Sequence, residues 1–413
     1  MAKMQYHYGL KMCCYPSDQQ KQLIKINSDA SRFIYNEMVA INKELMQLRR
    51  VKLPIGIVQN RINQLTMRQN AKQMSNHYQF LEDKRIDSLT KANAIQNYRK
   101  AWNAFRKVHT TGVPKFHRKS YRWRYQTNCQ YPGQKTALLT NGTVCFLDNS
   151  HVNVPKIGRL RVAGSQARFL KRMCETRIGT VTLTKDSADR FFLSMQLASD
   201  ESFIKVSKIT HGHVGIDLNT DNFLTDSDGN AVPNPRYYRT IKGKLAKEQR
   251  ILSRRQRRAK KDHRSLRDSK NYQKQRLLVA KLHAKVMNQR HNFLQQISTA
   301  LIKNHDLVVA EELRSKNMLK NHALALSISD VGWRTFLGML AYKAKLYGRQ
   351  FITINPRNTT QTCHDCGFVM GTNGTDKLTL DDRNWVCPKC GMHHIRDWNA
   401  ANNILDKGIA KLA

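Results

Sequence analysis

Val214-Gly215-Ile216-Asp217-Leu218-Asn219 is a short apolar run with one carboxylate set inside it. Its length and its loop-like flanks predict a buried strand. A lone carboxylate there is costly to desolvate unless something compensates it. Glu311 closes a second apolar run, Leu307-Val308-Val309-Ala310, and is followed at once by Glu312. Neighbouring strand residues face opposite sides, so periodicity does not choose between the two glutamates. Asp397 lies far downstream, in Arg396-Asp397-Trp398-Asn399-Ala400-Ala401. Each acid alone has an ordinary reading, as a turn residue, a strand end or, for Asp397, a helix N-cap. Together, three carboxylates from separate elements are what two-metal phosphodiester hydrolysis asks for. Hard Mg²⁺ ions take oxygen ligands, and a rigid strand suits the central one.

Between the second and third acids stand two matched knuckles, Cys363-His364-Asp365-Cys366 and Cys387-Pro388-Lys389-Cys390, 20 residues apart and each followed by glycine. A two-residue spacer lets both thiolates of a knuckle reach one ion, and glycine permits the tight turn beneath. This predicts one structural Zn²⁺ in a closed tetrahedral site. His364, His393 and His394 are expected to stay outside it. The other five cysteines show no regular spacing, and the count of nine is odd, so a reducing compartment is expected.

The formal net charge is +41 over 413 residues. Such a charge repels itself in isolation and calls for a polyanionic partner. No stretch approaches the roughly 18 apolar residues of a membrane span. Met1 to Leu10 lacks the apolar core of a signal peptide. A membrane partner is therefore not expected, and a cytoplasmic location is.

Local patterns divide the chain. A strand over Gln5–Lys11 ends at Pro16, and Ser17 predicts a helix N-cap. Helices are expected there, after Pro54 and over 87–107, where Leu89, Ala92, Ile95, Tyr98, Trp102 and Phe105 fall at helical spacing. From 112 to about 200 the pattern is that of strands, with hairpins expected at Asn141-Gly142 and between Thr180–Leu183 and Phe191–Met195. This predicts a small β-barrel or sandwich with the helical domain inserted near its first strand. Lys115, Arg118, Lys119, Arg122, Trp123 and Arg124 interleave cations with an aromatic, which suits phosphate contact plus stacking. After 210 the pattern is α/β. Residues 241–290 hold 18 Lys/Arg against 3 acids. There a long basic helix carrying Arg254, Arg255, Arg257 and Arg258 is expected to track a phosphate backbone, with Leu278, Leu282 and Val286 turned inward.

In the order of these motifs the chain resembles the TnpB (OrfB) family of transposon-encoded proteins, relatives of type V CRISPR effectors. The resemblance rests on Gly215-Ile216-Asp217-Leu218-Asn219, Glu311-Glu312-Leu313, Asn358-Thr359-Thr360-Gln361-Thr362-Cys363, Cys387–Gly391 and Arg396–Ala401. Arg32–Asn36 and Gly112–Phe116 match more loosely. The resemblance implies a multidomain α+β chain. Its RNase H-like RuvC nuclease would occupy 206–358 and 394–413, with the zinc ribbon at 359–393 inserted before the last aspartate. A wedge β-barrel would be split into 1–16 and 111–205 around a helical recognition domain at 17–110. It further implies two catalytic Mg²⁺ on Asp217, Glu311 and Asp397, with Glu311 rather than Glu312 as the ligand. The structural Zn²⁺ would sit on Cys363, Cys366, Cys387 and Cys390. The implied partners are a guide RNA from the transposon end and double-stranded target DNA beside a short motif, with one protein per guide, in a prokaryotic cytoplasm and on the nucleoid. One departure is Ile395, where the family often carries an acid.

Four other readings compete. A nuclease-inactive, guide-directed repressor would be expected to have lost part of the triad. A single-strand transposase would want a His-hydrophobe-His motif, whereas His211-Gly212-His213 has glycine at its centre and reads as a loop. A three-carboxylate strand-transfer enzyme or an unguided junction resolvase fits the residues alone.

Overall fold

Strand β1 (Tyr6–Cys14) runs into a helix whose start is fixed by Ser17. The Ser17 hydroxyl accepts from Gln20 N–H at 3.3 Å, and the Gln20 side chain accepts from Ser17 N–H at 3.0 Å. This reciprocal cap satisfies two backbone donors that the helix would otherwise leave open. The computed structural model describes residues 4–50, 55–131, 138–170, 176–204, 208–219, 221–312, 332–379 and 381–412. Pro54, Ala137, Cys174 and Leu313 lie outside them. The chain divides into two compact units, 1–203 and 204–413.

In the first unit α1 (Asp18–Leu48), α2 (Ile55–Met67), α3 (Ala71–His77) and α4 (Ser88–Lys107) share a core. Ile34, Met38, Leu65, Met74, Leu81, Ile95 and Tyr98 fill it. The α4 stripe is only partly the expected one. Ile95 and Tyr98 are buried and Trp102 packs against the core, but Ala92 and Phe105 are exposed. Thr90 and Ala94 are buried instead, because α4 also packs against strand β2 (Trp123–Asn128).

The remaining strands of this unit are β3 (Cys145–Asp148), β4 (His151–Val154), β5 (Gly158–Ala163), β6 (Thr176–Lys185) and β7 (Phe191–Ser199), with a one-turn helix α5 (Ala167–Leu170) between β5 and β6. They form one seven-stranded sheet in the order β2-β6-β7-β1-β5-β4-β3, so β1 lies at its centre although the helices follow it in sequence. The sheet curls. Thr143 N–H donates to Gln130 O at 2.9 Å, joining the chain beyond β2 to the chain before β3, the two edge strands.

The β6–β7 hairpin has the expected pairing, Val181 opposite Met195 and Leu183 opposite Leu193. The Asn141-Gly142 hairpin does not form a strand pair, although Phe146 N–H donates to Leu139 O at 2.9 Å. Leu138 and Leu139 are not in a strand, and β3 pairs with β4 instead. Gly142 does not adopt positive φ, which the tight two-residue hairpin turn demands. It serves close packing, since a Cβ there would lie 2.2 Å from Cys129 Sγ.

The second unit is built on strands β8 (His213–Asp217), β9 (Asn222–Asp226), β10 (Ala231–Pro233), β11 (Leu307–Glu311) and β12 (Gln350–Ile354). The sheet order is β10-β9-β8-β11-β12. β8, β11 and β12 are parallel, and β9 and β10 run antiparallel. One face, with Val214, Ile216, Val308 and Ala310, packs on α7 (Lys270–Asn304) and α8 (Trp333–Tyr347) through Leu294, Phe336 and Leu340. Lys343 of α8 is buried there and donates to Gln295 O, Ser298 Oγ and Thr299 Oγ1 of α7 at 2.7–2.8 Å. The other face carries Leu307 and Val309 and is covered by α9 (Arg396–Leu412) through Ile404.

The expected single basic helix is two helices. α6 (Tyr237–Lys261) ends at Asp262, and α7 begins after Ser269 and packs back on it. His263 adopts positive φ in the break. Leu278 is exposed and its neighbour Val279 is buried, because pairing with α6 sets the rotation of α7.

Candidate active site

Strand parity brings the carboxylates to one face. Gly215 and Asp217 alternate with Val214 and Ile216, and Val309 and Glu311 alternate with Val308 and Ala310. β8 and β11 pair in parallel up to Ile216 opposite Ala310. Asp217 and Glu311 are therefore the next residues of adjacent strands, on the face that α9 covers. Glu312 has the opposite parity and is exposed.

Two glycines let α9 approach this closely. A Cβ on Gly215 would lie 2.2 Å from Ala401 O and 2.7 Å from Leu405 N. A Cβ on Gly408 would meet Val309 at 2.5 Å. The helix thus lies on bare backbone, and its first turn delivers Asp397 to the sheet end.

The electrostatics mark the convergence. Burial, with the nearby charges of Glu311 and then Asp397, pushes the Asp217 carboxyl up to about 8. Burial also raises Glu311, opposed by Thr359 and Lys407. Thr359 donates its hydroxyl to Glu311 Oε1 and fixes that carboxylate. Asp397 is held on both oxygens. Arg396 reaches Oδ1 at 3.1 and 3.2 Å, and Arg383 reaches Oδ2 at 3.5 Å while also pairing with Asp221. Crowded carboxylates relieved by cationic partners suit a divalent metal site.

The cysteine module lies beside this cluster in sequence and is tied to it by hydrogen bonds. Cys363, Cys366, Cys387 and Cys390 bring their sulfurs within 4.8 Å of one another. The Cys363–Cys390 and Cys366–Cys387 separations are 3.7 and 3.6 Å. Zn–S bonds of about 2.3 Å imply tetrahedral edges of about 3.8 Å, so the donor set fits zinc. Gly367 and Gly391 both adopt positive φ, as the knuckle turns require. Their N–H groups donate back to Cys363 O and Cys387 O at 3.0 and 2.9 Å.

Strands β13 (Asn384–Val386) and β14 (His393–Ile395) form the ribbon beneath. His394 lies 3.1 Å from Cys363 Sγ and packs on Trp385. Together with Cys363 and Asp365 it makes a second possible ligand group, closer to the metal position than the spacing had implied.

Two asparagines of α9 join module to helix, and sequence reading gave them no role. Asn399 accepts from His364 N–H at 2.9 Å and donates to Thr362 O at 2.8 Å. Asn403 donates to Thr359 O and Thr362 O at 2.9 and 2.7 Å. Their spacing of four, which puts both on one helix face, was the available signal. Thr359, Arg383 and Arg396 were likewise missed. His211-Gly212 is a loop as read, fixed by Asp306 accepting from the His211 and Thr210 N–H groups, and His213 opens β8.

The basic candidates fall in two places, each within its own unit. Arg118, Arg122 and Arg124 line a cleft of ≈ 610 Å³ with Arg32, Tyr35 and His117. Lys115 and Lys119 are exposed nearby in the chain. Trp123 is half-buried, with Lys185 over its ring at 4.2 Å and Phe191 at its edge. In α6, Arg254, Arg257 and Arg258 are exposed, whereas Arg255 donates to Asn271 O at 2.7 Å and ties the helix pair together.

Comparison with known proteins bears on this arrangement. A family model described as a probable transposase (OrfB, IS605) matches residues 199–322, a Cas12f1-like TNB domain model matches 333–404, and a helix-turn-helix model matches 4–50. In that last segment the described structure is a strand followed by one long helix. A Streptomyces pristinaespiralis protein provisionally named RNA-guided DNA endonuclease is 38% identical over 57% of this chain, and the match spans 54% of that relative's own length. An Escherichia coli (strain K12) protein with the same provisional name, InsQ, is 28% identical over 96% of this chain and 91% of its own. A solved structure, a Cas12f1-sgRNA-target DNA complex, shares the fold at a TM-score of 0.51 and 15% identity, covering 97% of this chain and 98% of that one. Among the described residues no helix is long and apolar enough to cross a membrane. Over residues 4–50 and 199–322 the chain matches models of the OrfB (IS605) family, and over those segments it is similar to the TnpB (OrfB) proteins.

Proposed function

We propose that this protein is an RNA-guided DNA endonuclease that hydrolyses phosphodiester bonds at Asp217, Glu311 and Asp397. One observation carries the reading: three acids distant in sequence meet at one sheet end, and their mutual charge contributes to pushing Asp217 up to about 8. Two Mg²⁺ bound there would activate a water and neutralise the leaving 3′ oxygen. Asp217, on the central strand, would hold metal together with Glu311 and Asp397, and would release its proton in doing so. Thr359 orients Glu311, and Arg396 orients Asp397. The exposed arginines of α6 and the cleft of Arg118, Arg122 and Arg124 hold RNA and DNA through phosphates, while base pairing reads the sequence.

In this proposal 206–358 and 394–413 act as an RNase H-like RuvC nuclease and 359–393 as a Zn²⁺ ribbon. Residues 1–16 and 111–205 act as a wedge domain around a recognition domain at 17–110. The central position of β1 in the first sheet supports that split. The setting is a prokaryotic cytoplasm, with one protein per guide.

Asp217→Ala and Asp397→Ala are expected to abolish Mg²⁺-dependent cutting of DNA complementary to the co-purifying RNA and to leave binding intact. Undiminished cutting in either variant overturns the metal assignment. A wild-type complex that binds but never cuts points to a repressor, and strand joining points to a transposase.

A further inference from the structure

We propose that the indole of Trp398 is a stacking platform for a nucleobase of the DNA strand held in the carboxylate site. Of the five tryptophans, Trp333 and Trp385 are buried and Trp102 and Trp123 are partly packed, whereas Trp398 is 43% exposed. It follows Asp397 directly on the first turn of α9. Its orientation is fixed: Nε1–H donates to Ser227 O at 2.9 Å, and the ring lies 3.8 Å from where a Cβ on Gly229 would stand. Ser227 is itself tied to β8, exchanging hydrogen bonds with Gly215 at 2.9 and 3.2 Å.

Gly215 lies two residues before Asp217 on the same strand. The anchor is therefore roughly 7 Å along β8 from the carboxylate, about two stacking steps of a nucleic-acid strand. A rigid aromatic surface left open to solvent adds little to folding, because the indole N–H is satisfied and its outer area stays wet. Base–aromatic stacking accepts any base, which suits an enzyme whose sequence choice lies elsewhere. A strand stacked there would have its next phosphates over Asp217, Glu311 and Asp397. The inference rests on the nuclease reading for the identity of the strand, and its main test does not require cutting.

The full-length protein, with the RNA that accompanies it, is titrated with single-stranded oligothymidylate without divalent metal, in enough salt to weaken phosphate contacts. Wild-type tryptophan emission is expected to show a quenched component that Trp398→Phe lacks. Trp398→Ala is expected to lose about tenfold in affinity, and Trp398→Phe to keep most of it. In Mg²⁺, Trp398→Ala should raise KM by a similar factor with kcat nearly unchanged, as loss of strand positioning predicts. Equal quenching in wild type and Trp398→Phe, or wild-type affinity in Trp398→Ala, overturns the proposal. So does Trp398→Phe falling as far as Trp398→Ala, because the bond to Ser227 would then be what matters. A wild type that cuts, with Trp398→Ala indifferent, sinks the stacking alone. A wild type that stacks DNA on Trp398 but never cuts sinks the nuclease reading alone.

Discussion

At the scale of single residues, the carboxylate cluster sets function against stability. Asp217 has a folded-state carboxyl near 8, against an ordinary value of 3.8. Between those values the native protein holds a proton that the unfolded chain has released. Metal-free wild-type stability therefore falls as pH rises through that window. Asp217→Asn removes the titrating group while keeping its shape. It is expected to melt higher than the metal-free wild type by on the order of 1–3 kcal/mol, with the gap widening as pH rises toward 8, and to cut no DNA. A gap that narrows with rising pH in thermal melts would show that the acids do not crowd as described. Glu311→Gln is expected to abolish cutting and Glu312→Gln to spare it, as a side-by-side cleavage assay would read, because strand parity turns only Glu311 toward Asp217. The sequence did not carry that distinction physically, since two adjacent glutamates at a strand end look alike until the neighbouring strand's register is known. It also hid Arg383 and Arg396, whose grip on Asp397 depends on the fold of the cysteine module.

Among elements, the join between α9 and the strands governs the site. Gly215 stands where the α9 backbone passes, so a methyl there meets Ala401 O and Leu405 N, and Gly215→Ala forces the helix outward or breaks that turn. Overpacking of this kind costs about 1–3 kcal/mol, and displacement of Asp397 adds a loss of cutting disproportionate to the change in melting. The Asn399 and Asn403 contacts would pass the same dependence to a metal held by the four cysteines. With the metal stripped by a chelator, or in Cys387→Ser, the 359–364 segment loses its folded partner and Thr359 no longer positions Glu311. Activity is then expected to fall, and Zn²⁺ but not Mg²⁺ should restore it in a metal-readdition assay. A chelated protein that retains full activity would refute this coupling. Much at this scale was legible beforehand. The Ser17 cap, the β6–β7 hairpin, the knuckles and the strands ending at Asp217 and Glu311 all rest on local patterns that tertiary structure had no reason to override. The failures share one cause. The rotation of α4, the break between α6 and α7 and the role of Gly142 are set by what packs against each segment, and local periodicity does not contain that.

For the whole molecule, charge outweighs every other feature. A formal excess of +41 on 413 residues leaves the chain far short of internal neutralisation. Arg254, Arg257 and Arg258 project from a helix that buries only Leu245 and Ala259, so α6 is held mainly by α7 and offers its other side as a cationic rail. Proteins that neutralise many phosphates release as many counterions, and affinity falls steeply with salt. RNA is therefore expected to co-purify with the protein at low salt and to dissociate with roughly a thousandfold loss of affinity across a fourfold rise in salt concentration. Arg254→Glu combined with Arg257→Glu and Arg258→Glu should flatten that dependence by about the number of phosphate contacts removed. The readout is the slope of log affinity against log salt for the sequenced co-purifying RNA, taken on wild type and variant alike. An unchanged slope would detach α6 from the nucleic acid, and a soluble preparation free of RNA at low salt would remove the guide from the proposed function.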